Sequence, residues 1–258
     1  LDLSGDTPVK IQDTSSFTRN SYPGLLKQLR AIPDNGQSVT IGSVEFGTLN
    51  LGEVLLQISA GNGVTKIDSL RSSLYDGALL GTGFITVKKG INYRADLLIN
   101  GLSLKRFCAT IPKIKDYISG RLDGVISLNG EGENMAGLAG FTDLWVREGS
   151  GEKMLVSKDF LQKLSGKKLS GIFFSSDRPY DQAEVAAVLK DGYLTFEKLD
   201  IVNTNIFGVR DLSVSIAPDQ NRIALDHLFN AIKQAADRGK AATGGSTPPT
   251  EQEFQWKD

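Results

Sequence analysis

The sequence predicts a mainly antiparallel β fold with a few helices, on three observations. Glycine accounts for 28 of 258 residues. Gly77, Gly90, Gly101, Gly120, Gly130, Gly149 and Gly192 sit where turns would fall, several of them after Asp, Asn or Lys as in tight hairpins. Between them apolar and polar residues alternate with period 2, the pattern of strands with one buried face. Segments with helical spacing are few and short.

Residues 1–37 hold several Pro, Ser, Asp and Asn and read as a loosely specified entry segment, with one short helix at Tyr22–Ala31. Strands are expected at Ser38–Phe46, Leu49–Ser59 and Thr65–Leu74. Ile85 and Val87 then share one parity, Lys89-Gly90 makes a turn, and Tyr93, Ala95, Leu97 and Ile99 share one parity up to Asn100-Gly101. That is a β-hairpin. Leu104, Phe107, Cys108 and Ile111 have helical spacing stopped by Pro112, and Ile114, Tyr117 and Ile118 give a second turn, so short helices are expected within 103–118.

Strands follow at Leu122–Leu128 and Gly137–Arg147, a helix at Gly151–Leu164, and a strand at Gly171–Ser175. A second hairpin places Ala183, Val185, Ala187 and Leu189 before Asp191-Gly192, and Leu194, Phe196, Leu199 and Ile201 after it. Asp-Gly between alternating runs is a strong hairpin signal. One more strand is expected at Val209–Ala217, closing a β domain over 38–217. Leu225, Leu228, Phe229, Ile232 and Ala236 then stripe an amphipathic helix over Asn221–Arg238, within a 218–239 segment, and 240–258 is a flexible polar tail.

Composition removes most site chemistry. With one cysteine, Cys108, and one histidine, His227, the chain can build neither a disulfide framework nor a zinc or iron–sulfur site, and no metal is expected. Lys plus Arg at 29 against Asp plus Glu at 30 leaves a net charge of −1 with the basic residues scattered, so nucleic acid is not an expected partner. No run approaches the roughly 18 apolar residues of a membrane span. The chain opens at Leu1 rather than Met, as expected of a processed protein or a cut-out fragment with its leader or anchor elsewhere. The scarcity of cysteine suits an oxidising compartment, though it is also common in the cytosol.

The candidates for chemistry are thin. There is no Gly-x-Ser-x-Gly elbow, phosphate loop or His-Glu-x-x-His helix, and Gly130-Glu131-Gly132 misses the dinucleotide spacing. His227 lacks a nucleophile motif and reads first as a solvated or edge histidine. Cys108, in an apolar helical stretch, is a small buried hydrophobe or a reactive thiol, and the first reading is preferred. Glu131 and Glu133 make a polar turn more readily than an acid–base pair. The expectation is a protein that is not an enzyme, with no catalytic residue and no cofactor.

Tyr75-Asp76-Gly77-Ala78-Leu79-Leu80-Gly81-Thr82-Gly83 resembles the glycine-started strand that opens a conserved region of the AsmA-like family of bacterial envelope proteins. The similarity continues through Asn100-Gly101-Leu102-Ser103-Leu104, Ser119-Gly120-Arg121-Leu122-Asp123-Gly124, Leu128-Asn129-Gly130-Glu131-Gly132 and Leu138-Ala139-Gly140-Phe141. Tyr180, Ala183, Asp191-Gly192 and Leu199 are similar to the segment that follows in the family, so the resemblance spans roughly residues 70–217. The order of these short motifs carries it, since none is specific alone. The helix and polar tail after the last strand depart from the pattern, and the first 37 residues match no part of it.

The resemblance implies the C-terminal periplasmic region of a protein held in the inner membrane by an N-terminal helix outside this chain. It implies a curled antiparallel sheet, a β-groove, with short helices packed at its ends or inside. It also implies a non-enzymatic role in outer membrane biogenesis, shielding phospholipid acyl chains between the inner and outer membranes. The residues permit this: Ile85, Val87, Tyr93, Leu97, Ile99, Ile126, Leu128, Val185, Leu189, Leu194 and Phe196 offer one uncharged strand face as candidate groove lining. Removing an acyl chain of about sixteen carbons from water is worth on the order of 10 kcal/mol, so an apolar groove suffices without polar chemistry. The same alternation also describes an ordinary β core. In that alternative the chain is a structural or assembly module with a filled core that binds an envelope protein through an edge strand or its last helix.

Overall fold

The computed structural model describes residues 17–32, 38–46, 49–87, 90–132, 137–149, 151–165, 176–215, 221–227 and 230. In chain order its elements are α1 (Tyr22–Ala31), β1 (Ser38–Ile41), β2 (Val44–Phe46), β3 (Leu49–Leu51), β4 (Val54–Gly61), β5 (Val64–Leu74), β6 (Gly77–Thr86) and β7 (Asn92–Ser103). Next come α2 (Leu104–Ala109), a 3-10 turn at Pro112–Ile114, β8 (Ile118–Ser119), β9 (Arg121–Glu131) and β10 (Leu138–Arg147). The chain continues through β11 (Leu155–Val156), α3 (Lys158–Ser165), β12 (Arg178–Pro179), β13 (Gln182–Lys190), β14 (Tyr193–Thr204), β15 (Arg210–Ser215) and β16 (Arg222–Ala224).

The main sheet is an eleven-stranded antiparallel ladder in the order β1-β4-β5-β6-β7-β9-β10-β13-β14-β15, with β16 on the same edge of β14 as β15. It is open and curled and does not close into a barrel. A small sheet, β12-β11-β8, and a β2-β3 hairpin lie outside it. Most neighbours in the ladder are neighbours in sequence, as hairpin turns dictate. Where β7 passes to β9, the insertion is α2, the 3-10 turn and β8, and where β10 passes to β13, it contains β11, α3 and β12.

Several expectations are corrected. Asn100-Gly101 does not end a strand: β7 runs through it to Ser103 with a bulge, Ile99 pairing Gly124 and Leu102 pairing Leu122. Gly101 has φ +68° there, and its N–H donates to Asp123 Oδ1 at 2.8 Å. Gly130 lies inside β9 rather than at a turn, beneath the Tyr93 ring, where an added Cβ would come within 2.4 Å of the phenol oxygen. The helix expected over Gly151–Leu164 begins only at Lys158, since Leu155 and Val156 are taken by pairing with β8 and β12. Residues 222–224, expected as helix, pair with β14, and helical backbone starts at Leu225. The strands expected at 38–46 and 49–59 are each broken near a glycine, Gly42 and Gly52. The Gly171–Ser175 strand, residues 231–238 of the last helix and the tail lie outside the described residues.

Candidate functional site

The register collects one apolar face that runs across the whole main sheet. In one row Val39, Leu56, Leu70, Gly81, Leu97, Ile126, Thr142, Ala187 and Phe196 lie side by side on successive strands. The next row toward the β6–β7 turn runs Ile58, Ile67, Gly83, Ala95, Leu128, Gly140, Leu189, Leu194 and Ile223. Toward the other end lie Ile41, Val54, Ser72, Leu79, Ile99, Gly124, Leu144, Val185 and Leu199. None of these positions carries a charge. At about 4.8 Å per strand, the face is roughly 45 Å across.

Of the residues proposed from sequence, Ile85, Tyr93, Leu97, Ile99, Ile126, Leu128, Val185, Leu189, Leu194 and Phe196 all sit on this face. Val87 lies just past the end of β6 and is 65 % exposed. Sequence reasoning missed Leu56, Ile58, Ile67, Leu70, Leu138 and Leu144. The signal is parity, which runs unbroken through Leu56 and Ile58 on β4 and through Leu138 and Leu144 on β10; only on β5 does a bulge between Ile67 and Leu70 put an odd and an even residue on the same face.

The two ends of the face differ. At one end α2 and α3 cover it: Leu104 and Phe107 pack on Leu74, Leu79, Ile99 and Leu102, and Phe160 and Leu161 on Val146, Ala183 and Ile201. Local sequence builds these caps. The Ser103 hydroxyl accepts from the Arg106 N–H to start α2, and Ser157 Oγ accepts from Phe160 N–H at 3.1 Å to start α3. Glu152 ties both insertions to the sheet by accepting from Gly120 N–H and Ser103 Oγ and pairing with Arg121. Tyr180 hydroxyl donates to Ser119 O at 2.6 Å, and burial raises its pKa far above the ordinary value. Next to the caps Leu97 and Ile126 pack on the same cluster and are half-buried, as is Val185; farther on Ala187 and Leu189 are buried, Leu128, Leu194 and Phe196 are half-buried, and at the far rim Ile85 is 43 % exposed.

The opposite face is charged and carries α1. Leu80, Leu98, Val125 and Trp145 form an apolar island there, on which Phe17, Tyr22 and Leu29 pack. Tyr22 stacks edge-on against Trp145, donates to Ile99 O at 2.8 Å and accepts from Asn100 Nδ2 at 2.9 Å. Burial raises its pKa to about 12. Arg71 donates to the carbonyls of Leu29, Arg30 and Ile32 and so closes the helix C-terminus. Around the island run ion pairs: Arg94 with Asp96, which also accepts from Ser127; Arg147 with Asp123; and Glu184 with Arg19 and Lys198. Burial pushes Glu184 upward, but hydrogen bonds from Lys198 and Arg19 outweigh it and hold the carboxyl at about 2.

The residues singled out for chemistry do not converge. Cys108 is buried in α2 and burial raises its thiol pKa, which removes thiolate character. His227 is exposed just past β16. Among the described residues no cluster of His, Cys, Asp and Glu could hold a metal ion, and no helix is long and apolar enough to cross a membrane.

Residues 19–143, from just before α1 into β10, match the model of the AsmA family. Over those residues the chain is AsmA-like. No curated protein and no solved structure matches it. The family match overlaps the motif-bearing stretch from residue 70 and reaches back through β1–β5 and α1, where no motif was visible. The AsmA-like chain thus has its entry helix inside the matched region, and α1 is docked on the sheet. Family membership fits envelope proteins of the lipid-transport type.

Proposed function

We propose that this AsmA-like chain shields phospholipid acyl chains on the apolar face of its open sheet during transfer from the inner to the outer membrane. The reading rests on the continuity of that face: rows of aliphatic side chains and glycines cross from β1 to β14 without a charge, while the ion pairs stand on the other face. A passive apolar surface needs no nucleophile, metal or cofactor, so we infer that the protein is not an enzyme. Its partners are then phospholipid and, through other parts of the protein, the two membranes. Its place is the periplasm, with an inner-membrane tether outside this chain.

The half-buried rows near Leu97 and Leu128 are the proposed acyl site, and the helix-capped rows are its floor. Mass spectrometry of protein purified without harsh detergent should find phospholipid, and Leu97→Asp should lose it while keeping the circular dichroism of the wild type. A lipid-free preparation that also fails to take up labelled lipid refutes the proposal. Unfolding by Leu97→Asp favours instead a filled core and an assembly module, whose exposed β1 edge (Ser38–Ile41) would bind an envelope partner.

A further inference from the structure

The loop joining β14 to β15 presents an apolar tip to solvent. Ile206 is 93 % exposed and Phe207 83 %, the two largest exposures among the described large apolar side chains, and Val209 is 58 % exposed. Scattered apolar residues on a surface need no explanation, but three within four positions at one hairpin tip do. The tip is not loose. Asn205 N–H donates to Val209 O at 2.9 Å and Gly208 N–H to Asn205 O at 2.8 Å. The Asn205 side-chain oxygen accepts from Phe207 N–H at 3.0 Å and Val209 N–H at 3.1 Å.

Four of the backbone donors in 205–209 are therefore satisfied inside the turn. A protein pocket would not require that, since its own polar groups or interfacial water can complete a partner's hydrogen bonds. Hydrocarbon does require it, because nothing there replaces water. No residue from Asn205 to Val209 is charged, and the exposed Arg210 follows at the base of the loop, where a cation meets lipid phosphates. The strands bearing the tip also supply Leu199, Ile201, Leu212 and Val214 to the apolar face, so the tip extends from the end of that face that α3 covers, on the edge strand of the sheet.

We propose that Ile206, Phe207 and Val209 form a membrane-docking wedge that inserts into the interface of a phospholipid bilayer and brings the β14–β15 edge of the sheet against it. This rests on the lipid-shielding reading for its purpose, but its test does not. Protein is mixed with vesicles of phosphatidylethanolamine and phosphatidylglycerol and sedimented. The wild type should partition with the vesicles, and Ile206→Ser/Phe207→Ser should lose binding by about tenfold or more, as expected for two large apolar side chains left in water. Phe207→Trp should show blue-shifted, quencher-protected emission when vesicles are added. Absence of vesicle binding by the wild type, or equal binding by the double variant, overturns the proposal. So does vesicle-free self-association that the double variant abolishes, which would make a second copy the occupant. Lipid co-purifying with the double variant at the wild-type level separates the wedge from the acyl site. Loss of vesicle binding with bound lipid intact supports the wedge, and intact vesicle binding in a lipid-free protein refutes only the shielding reading.

Discussion

Leu97 and Ile99 stand two residues apart on β7, on the same face and in adjacent rows, yet Leu97 is half-buried and Ile99 is 7 % exposed. Strand pattern does not separate them. The difference is made by α2, whose Leu104 and Phe107 reach the Leu79, Ile99 and Leu102 end of the face. One apolar surface thus serves two purposes: where the insertions fold back it is core, and where they stop it is free to hold something else.

Charge insertion is the strongest way to break that distinction. Ile99→Asp buries an unpaired carboxylate beneath α2 and should cost more than about 4 kcal/mol, enough to unfold a marginally stable domain. Leu97→Asp keeps water access and should cost only about 1–2 kcal/mol. Urea denaturation of the two variants measures both. Equal destabilisation would mean that the half-buried rows are core as well.

A gentler version uses truncation. Leu161 of α3 is 4 % exposed among Val156, Tyr180 and Ile201, so Leu161→Ala should cost about 2–4 kcal/mol. Leu128→Ala, on the half-buried rows, should cost about 1 kcal/mol. The cap variant should also lower the unfolding midpoint without emptying the lipid rows, and Leu128→Ala should weaken lipid retention with little change in midpoint. If both properties move together in each variant, the two ends are one unit.

Much of this division was legible in the sequence, and the parts that were not share a cause. The Asp191-Gly192 hairpin and the Tyr93–Ile99 alternation are local, so turn chemistry and period 2 located them. The Tyr22–Ala31 helix was also local, with Pro23 at its start, but its docking on Leu80, Leu98 and Val125 depends on strands far along the chain. Asn100-Gly101 reads as a turn because its bulge is held by Asp123 and Arg147, more than twenty residues away. Leu155-Val156 and Arg222–Ala224 looked helical for the same reason: partner strands, not propensity, decide their state. On β5 part of the apolar face is hidden from a period-2 reading, because a bulge puts Ile67 and Leu70, of opposite parity, on the same face.

Acid sharpens the comparison from the charged face. Glu184 has a carboxyl held down to about 2 against an ordinary 4.5, so folding favours its ionised form. Its stabilisation is complete above about pH 4.5 and is lost as pH falls toward 2. Because Arg19 and Lys198 are nearly half exposed, the effect should be about 1–2 kcal/mol. The difference in urea midpoint between wild type and Glu184→Gln should shrink over that window, while lipid retention at pH 5 and pH 7 stays equal. A gap that persists at pH 2 would mean the ion pairs do not set this carboxyl.

The smallest expected effect tests how the boundary between the two ends is held. The β7 bulge lets Leu102 return to the apolar face and lie under α2; without it, Leu102 would point to the charged side. From the charged side Tyr22 fixes that bulge by donating to Ile99 O and accepting from Asn100 Nδ2. Tyr22→Phe keeps the ring against Trp145 and removes both bonds, which should cost about 1 kcal/mol. Hydrogen exchange should then quicken at the Gly101 amide, which donates to Asp123, and stay unchanged at the Leu97 amide in the ladder. Faster exchange along all of β7 would mean that α1 supports the whole sheet; a rise confined to the bulge would mean that α1 sets the line at which a filled core gives way to an open face.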